Sequence, residues 1–555
     1  MKHVSSFLSC SGLMVALWAM GPTVAHAQAP AWQTALAVGN TTAQVLATAA
    51  DAVGNVYVTG CFTGTLSVPG TTLVSVGGTD GFVAKYNAQA GTFWAIRFGG
   101  TGADKGTALA VAGTSIYVAG TFDGTATVGG LTLTSAGGGD VAVLKLTDQG
   151  TAPVAVWAQS GGSPTGDEGW ALAVSGSSVY VGGQVGGTSV FGNVAVPVTA
   201  SLAAGFVAKL TDAGATATYA WVQTLGGPYY DGIYALAADG ASVYAGGFFS
   251  YNMTLGGTTL TSAGLSDAVV VKLTDNGAAA STAWVRPAGG PGGDQVNALV
   301  AGGGTVYATG AFSATATFGG TSLVSAGSGD VFVAKLTDAG ATATYTWAQQ
   351  AGGPGPEQGY ALVARAGSVY VAGTMSGNAT FGSNTVAGAG GYDAFVTRVD
   401  DAGSSARFAW TQLAGGTGTD VASSVAVANG NLYVGGYAKL PASFGTLVLS
   451  GSSSQNGFLS ALGPAALATA PGAALPAFAL SPNPAHGTAT VQLPAVPGAT
   501  TATLTVLDAL GRPVRTLSTP TNARAVLDLT GLAPGLYAVR VAAGSSTATR
   551  RLVVE

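Results

Sequence analysis

Residues 206–219 read FVAKLTDAGATATY, and residues 332–345 repeat the same fourteen letters 126 positions later. A match of that length points to an internal period, which has to be found before any element is assigned. One tryptophan marks it, at Trp32, Trp94, Trp157, Trp221, Trp284, Trp347 and Trp410, and one tyrosine, at Tyr57, Tyr117, Tyr180, Tyr244, Tyr307, Tyr370 and Tyr433. Successive markers stand 60–64 residues apart. Between them each unit repeats a hydrophobic stretch (ALAV), a tyrosine stretch (SVYVAG), a Gly/Thr-rich excursion (TFGGTSLVSAG), a third stretch (DVFVAKL), a TDAG turn and the tryptophan stretch. Four of these are short, rich in β-branched or aromatic residues and bounded by Gly, Asp or Asn, which is the pattern of strands joined by hairpin turns.

Seven repeats of four antiparallel strands predict an all-β chain whose residues 28–462 form a seven-bladed β-propeller, the blades burying one another's sheet faces. A solenoid competes, but its coils usually take about 20–30 residues. The order of markers adds a closure rule. The series opens on a tryptophan stretch and ends on a tyrosine unit, NLYVGGY to NGFLSAL, that has no tryptophan stretch after it. The Trp32 strand is therefore expected beside the strand containing Phe458, so that the N-terminal strand closes the last blade.

The stretches SVYVAG, TFGG, SGDVFVAKL and TWAQQAGG resemble the SBBP-type β-propeller repeats of bacterial secreted proteins over about residues 31–462. That family supplies no shared catalytic residues to carry over. After an Ala/Pro linker at 463–478, residues 479–555 alternate strands with Gly/Pro/Asn turns, enough for a small Ig-like β-sandwich. Pro482-Asn483-Pro484, the Asp508 to Gly511-Arg512 turn, Leu532 through Gly535-Leu536-Tyr537 and the basic, β-branched end resemble the type A C-terminal sorting domain of type IX secretion substrates. The resemblance implies entry into the periplasm, then passage of the outer membrane with the type IX machinery as partner. It leaves the product secreted or held at the outer-membrane surface.

The chain begins with Lys2, an apolar stretch and Ala25-His26-Ala27, the plan of a signal peptide over 1–27 cleaved between Ala27 and Gln28. Once that leader is removed Cys61 is the remaining cysteine, so stability has to come from packing. A formal net charge of -5 argues against nucleic acid as a partner, and no later stretch reaches the run of about 20 apolar residues that a membrane helix needs.

Chemistry is constrained by a shortage of histidine: His3 and His26 fall in the leader and His486 in the tail. A Ser/His/Asp or Cys/His system, or a His/Cys zinc site, cannot be assembled on the repeats, and no catalytic residue or metal ligand is assigned. Carboxylates remain. One set (Asp104, Asp167, Asp231, Asp294, Glu357, Asp420) lies in the Gly-rich loop after the tryptophan strand; a second (Asp80, Asp140, Asp267, Asp330, Asp393) precedes the third strand. A third (Asp148, Asp212, Asp275, Asp338, Asp401) lies in the turn before the outer strand. Blade topology puts the first two sets on one face, where outward-pointing carboxylates would make an acidic surface. Turn-fixing by bonds to nearby backbone N–H groups explains their recurrence. A structural Ca²⁺ is the competing use, although calcium wants about six to eight oxygens. The recurring Lys85, Lys145, Lys209, Lys272, Lys335 and Arg398 are expected to pair with a neighbouring blade.

Departures from the repeat point to a ligand site. Trp170, Tyr234 and Tyr360 occupy one position where other units have Thr107, Asn297 and Ser423, near the channel mouth. Tyr229 and Tyr230 join the same loop, and Phe248, Phe249 and Tyr251 cluster close by. With Asp167, Asp231 and Glu357 they suit a carbohydrate or protein ligand. The expected function is a secreted or cell-surface binding or scaffold module. The alternative is a polysaccharide-acting enzyme with two facing carboxylates about 5–9 Å apart.

Overall fold

The computed structural model describes residues 29–39, 42–88, 90–197, 202–451, 453–464, 478–493, 495, 500–508, 513–543 and 546–555. Among them the secondary structure is strand throughout, with no helix. The leader expected over 1–27 with its Ala27/Gln28 junction, and most of the expected Ala/Pro linker, lie outside the described residues.

Each unit lays down its strands in the predicted order. In the third, Glu168–Ser175, Ser178–Val185, Ala204–Asp212 and Ala217–Leu225 pair antiparallel in sequence. The third strand is buried along most of its length, as a strand covered on both faces should be. The last unit takes its outer strand from the chain start. Trp32–Val38 pairs antiparallel with Asn456–Pro464, Ala37 standing opposite Phe458. The first strand of every unit lies against that of the next, and Val421–Ala428 lies back against Thr42–Ala50, so the contact order is cyclic.

The Gly/Thr-rich excursion, for which the sequence predicts no strand, folds as a further hairpin. In the second unit Thr125–Val128 pairs with Leu131–Thr134 around Gly129-Gly130, both at positive φ, the conformation that a tight two-residue hairpin turn requires. Ala126 and Val128 point inward while Thr125 and Thr127 stay exposed. The first arm continues onto the outer strand of the preceding unit: Ala126 pairs with Gly100, Phe191 with Gly161, Phe381 with Ala351 and Phe444 with Ala414. The excursion is a stitch between units rather than a loop.

A second tie between units uses the third carboxylate set. Asp212 fixes its own turn by accepting from Gly214 N at 2.9 Å, as expected. The same carboxylate also accepts from Tyr117 OH (2.7 Å), Lys145 Nζ (2.6 Å) and Trp157 Nε1 (3.0 Å), all in the preceding unit. Asp148, Asp275, Asp338 and Asp401 repeat this arrangement with the tyrosine, lysine and tryptophan one unit back. The conspicuous TDAG turn is thus the lock at five junctions. At the closing unit the lock is absent, because Ala88 and Pro464 stand where the carboxylates would be and Ala461 replaces the lysine. There Trp410 Nε1 is buried without a partner, and Arg398 turns to Asp400 and Ser368.

In the C-terminal region, a three-stranded sheet (Ala479–Ser481, Thr488–Gln492, Arg524–Asp528) and a four-stranded one (Pro513–Pro520, Thr501–Leu507, Gly535–Ala543, Ser546–Val554) share a core that includes Val491, Leu504, Leu527, Val541 and Leu552. Asn483, between the two prolines, clips the final strand from both sides: its Nδ2 donates to Arg551 O and its Oδ1 accepts from Val553 N, each at 2.8 Å.

Candidate functional site

In every unit the pairing of the first strand with the second skips one residue. The register shifts fall between Val45/Ala47, Gly106/Ala108, Gly169/Ala171, Ile233/Ala235, Val296/Ala298, Gly359/Ala361 and Ala422/Ser424. The skipped residues are Leu46, Thr107, Trp170, Tyr234, Asn297, Tyr360 and Ser423. A bulge bends its strand and re-aims the unpaired side chain. All seven line one open cavity of about 180 Å³ at the centre of the cyclic array of first strands. Six of the seven are legible as a variable position in the repeat. Leu46 is not, because the hairpin that follows it is one residue longer than in the other units, which puts it eleven residues before its marker tyrosine instead of ten.

The polar bulge residues hold the rim. Thr107 Oγ1 lies 2.5 Å from Gly169 O, Asn297 Nδ2 donates to Gly359 O at 3.0 Å, and Ser423 Oγ donates to Val45 O at 2.6 Å. Each acceptor immediately precedes the bulge residue of the following unit, so one bulge positions the next. The aromatic residues make the opposite kind of surface. Trp170 packs on Tyr234 with ring centroids 4.8 Å apart, and Tyr234 stacks on Phe248 at 5.5 Å. Trp170 Nε1 donates to Glu168 Oε2 at 2.7 Å, and Lys105 Nζ reaches the same oxygen at 3.0 Å. Burial alone would raise the Glu168 pKa; Lys105 and the indole N–H outweigh it and hold the carboxyl below its ordinary value. Burial pushes the Tyr360 phenol up to about 12, so it faces the cavity as a neutral hydroxyl.

Asp167, Asp231 and Glu357 do not point outward, so the acidic surface expected from the sequence is absent at these positions. All three are buried. Asp167 accepts from Ser163 N (2.6 Å), Ser163 Oγ (2.8 Å) and Gly186 N (2.9 Å); Asp231 from Gly227 N (2.7 Å) and Ser250 N (2.9 Å); Glu357 from Gly353 N (2.7 Å). The cause is backbone accounting: a Gly-rich loop carries N–H groups outside any strand ladder, and a carboxylate turned inward supplies their acceptor. These side chains fix the loop and offer no pair of acids to a substrate in the cavity. Tyr229 and Tyr230 follow neither plan. They are exposed, lie outside the cavity lining, and Tyr229 stacks on Tyr251. The structure thus brings Trp170, Tyr234 and Tyr360 together and separates them from the other proposed ligand residues. Among the described residues, no three His, Cys, Asp or Glu side chains gather where they could hold a metal ion.

Comparison with known proteins bears on the C-terminal region. Residues 479–555 match the family model of the secretion system C-terminal sorting domain. The chain is exported across the outer membrane. The tail directs it to the cell surface or the secreted state by type IX secretion, whose machinery is therefore a partner, and no helix among the described residues is long and apolar enough to cross a membrane. Over 247 residues the chain is 28% identical to the regulatory protein FlaEY of Caulobacter vibrioides, an alignment covering 42% of this chain and 26% of that protein. The chain thus spans about a quarter of that relative's length. Among solved structures, an extracellular domain described as part of a one-component system from B. thetaiotaomicron aligns over 92% of this chain and 81% of its own length. It does so at 8% identity and a TM-score of 0.18, a value too low to bear on the fold.

Proposed function

We propose that this chain is a surface-held or secreted binding module: a seven-bladed β-propeller of SBBP-type repeats over 28–462, carried outward by its tail and taking its ligand at the channel mouth. The cyclic contact of first strands and the closure of the last unit by Trp32–Val38 support the propeller. The observation that carries the binding role is the convergence of seven bulge side chains on one cavity. Bulges recur next to functional sites because they re-aim side chains. Here Trp170 and Tyr234 make one aromatic arc of the rim, Tyr360 adds a ring on the far side of Asn297, and Thr107, Asn297 and Ser423 are held by backbone bonds. A preformed concave site with a few fixed polar groups and aromatic faces is what a ligand pocket requires. The ion pair beside Trp170, Lys105–Glu168, is self-neutralising, so the site favours a neutral ligand group.

The test is retention on cells. Purified chain is added back to producing cells that lack their own copy, and bound protein is quantified for the wild type, Trp170→Ala and Tyr360→Ala. The mouth reading expects the wild type to be retained and both variants to lose about tenfold or more of that binding, the effect of deleting a stacking ring from a hot spot. Equal retention of all three would sink it.

A further inference from the structure

Beyond the channel mouth, the fourth unit departs from the repeat at two positions where glycine is the commonest residue, four of the seven units carrying it at each. The residue two places before the loop carboxylate is Gly102, Gly292, Gly355 and Gly418 at four junctions. A Cβ there would come within 2.5 Å of Asp123, Ser313, Ser376 and Lys439 respectively. At the same position the loop entering the third unit has Thr165 and the one entering the fourth has the far larger Tyr229. Two residues past the second strand's last buried side chain, Gly64, Gly124, Gly187 and Gly377 adopt φ between 51° and 73°, Ala314 takes φ 56° in the fifth unit, and Leu440 stands there in the seventh. Unit four puts Tyr251 there, at φ 58°. Tyr251 keeps the turn of the glycines it replaces: its N–H donates to Ser262 Oγ at 3.0 Å, as Gly124 donates to Ser135 Oγ at 3.0 Å. A bulky residue in the left-handed region is strained and persists where the surroundings or the function hold it.

The two tyrosines meet. Their rings stack with centroids 4.1 Å apart and planes inclined by 25°, yet Tyr229 remains 41% and Tyr251 57% exposed, with Tyr230 beside them at 53%. Rings placed to fill space under a loop would be covered. From Tyr251 the chain enters the hairpin Asn252–Leu255/Thr258–Thr261, whose exposed side chains include Asn252, Thr254, Thr259 and Thr261. Thr254 and Thr259 share a hydrogen bond of 2.9 Å, and Thr261 Oγ1 donates to Asn252 Oδ1 at 2.8 Å. The surroundings are hydroxyls and an amide, with no charged group in the hairpin.

We infer that the Tyr229–Tyr251 pair is a second, separate binding shelf, built for a neutral carbohydrate. A pyranose presents a face of C–H groups that lies on an aromatic ring and a rim of hydroxyls that exchange hydrogen bonds with neutral donors and acceptors. A charged peptide would find no counter-ion in this hairpin. The inference stands independently of the channel-mouth reading.

The test uses substitutions that restore the repeat. Isothermal titration of the full chain against neutral hexose and N-acetylhexosamine oligosaccharides is run for the wild type, Tyr251→Gly, Tyr229→Gly and Trp170→Ala. The shelf expects Tyr251→Gly and Tyr229→Gly to bind at least about tenfold more weakly. It also expects Tyr251→Gly to melt no lower than the wild type, since glycine relieves the left-handed strain. Unchanged affinity in Tyr251→Gly overturns the shelf, as does a lower melting temperature with no loss of binding, which would make the ring a packing element. Binding lost in Trp170→Ala alone overturns the shelf and leaves the mouth reading intact. A wild type that binds none of the saccharides but takes up an uncharged peptide panel overturns the carbohydrate class.

Discussion

Asp338→Asn is expected to lower the unfolding free energy by about 3–5 kcal/mol, seen as a fall in the urea midpoint with an unchanged slope. Asp338 is the acceptor at the junction of the fourth and fifth units, taking Lys272 Nζ (2.6 Å), Tyr244 OH (2.7 Å), Trp284 Nε1 (3.0 Å) and Gly340 N (2.9 Å). The Lys272 and Asp338 side chains are only 10% and 4% exposed. Burial would raise this carboxyl; the lysine, tyrosine and tryptophan donors outweigh it and bring its pKa down to about 2. An amide keeps the size and one acceptor, but it leaves the lysine charge buried with no counter-charge. That uncompensated charge, rather than the lost attraction, is the main penalty. The double variant Lys272→Met, Asp338→Asn should therefore recover much of the loss, because no buried charge then remains. A double variant as unstable as Asp338→Asn alone would show that the junction fails for lack of the Tyr244 and Trp284 bonds instead.

The parts of this molecule that were legible in its sequence are those that repeat by identity. Trp94 and Tyr57 recur at fixed spacing, and the strand holding Trp32 was placed beside Phe458 by counting which end lacked which stretch. What stayed hidden depends on a partner in another unit. The carboxylate of TDAG reads as a turn residue because its local bond, Asp212 to Gly214 N, is sufficient to explain it. Its larger role involves a tryptophan 54–55 positions earlier. One signal existed: the lysine and the aspartate disappear together around the closing unit, at Ala461, Pro464 and Ala88. Residues lost together within one chain are candidates for contact. The inward turn of the loop carboxylates is hidden for a related reason. Their sequence neighbours are glycines, which say that the backbone turns sharply but not whether an acceptor faces water or the N–H groups left over by the turn.

Those inward carboxylates are expected to make stability rise on mild acidification, the reverse of the usual trend. Burial pushes Asp104, Asp140, Asp231, Asp294 and Asp420 up to about 6 and Glu357 to about 7, against the pull of backbone N–H groups in the other direction. Asp167, Asp267, Asp330 and Asp393 move the same way for the same cause. The members of a pair face each other: the point a Cβ would occupy on Gly289 lies 2.8 Å from Asp267 Oδ1 and 2.9 Å from Asp294 Oδ2. Asp140 Oδ1, Asp267 Oδ1 and Glu357 Oε1 are buried with no partner, so a carboxyl proton has somewhere to go. A group whose pKa is higher folded than unfolded contributes stability that is complete below the unfolded value of about 4 and lost as pH rises through the folded one. For Asp104, Asp140, Asp231, Asp294, Asp420 and Glu357 that window runs from about 4 up to about 6 or 7, and the other four act in the same direction. The five junction carboxylates have the opposite sign. Asp148, Asp212, Asp275, Asp338 and Asp401 are held below their ordinary value by lysine, tyrosine and tryptophan donors, so their contribution is present above about pH 4 and fails only as pH falls through the lowered values. The two windows leave a maximum where both sets contribute. The melting temperature should be higher at about pH 4.5 than at about pH 8, and should drop steeply only towards about pH 2. Asp294→Asn, which is neutral at every pH, should flatten the decline between the first two values. If the melting temperature instead rises steadily from acid to neutral pH, the inward carboxylates are ionised at neutral pH without penalty and the pairing across Gly289 has no energetic weight.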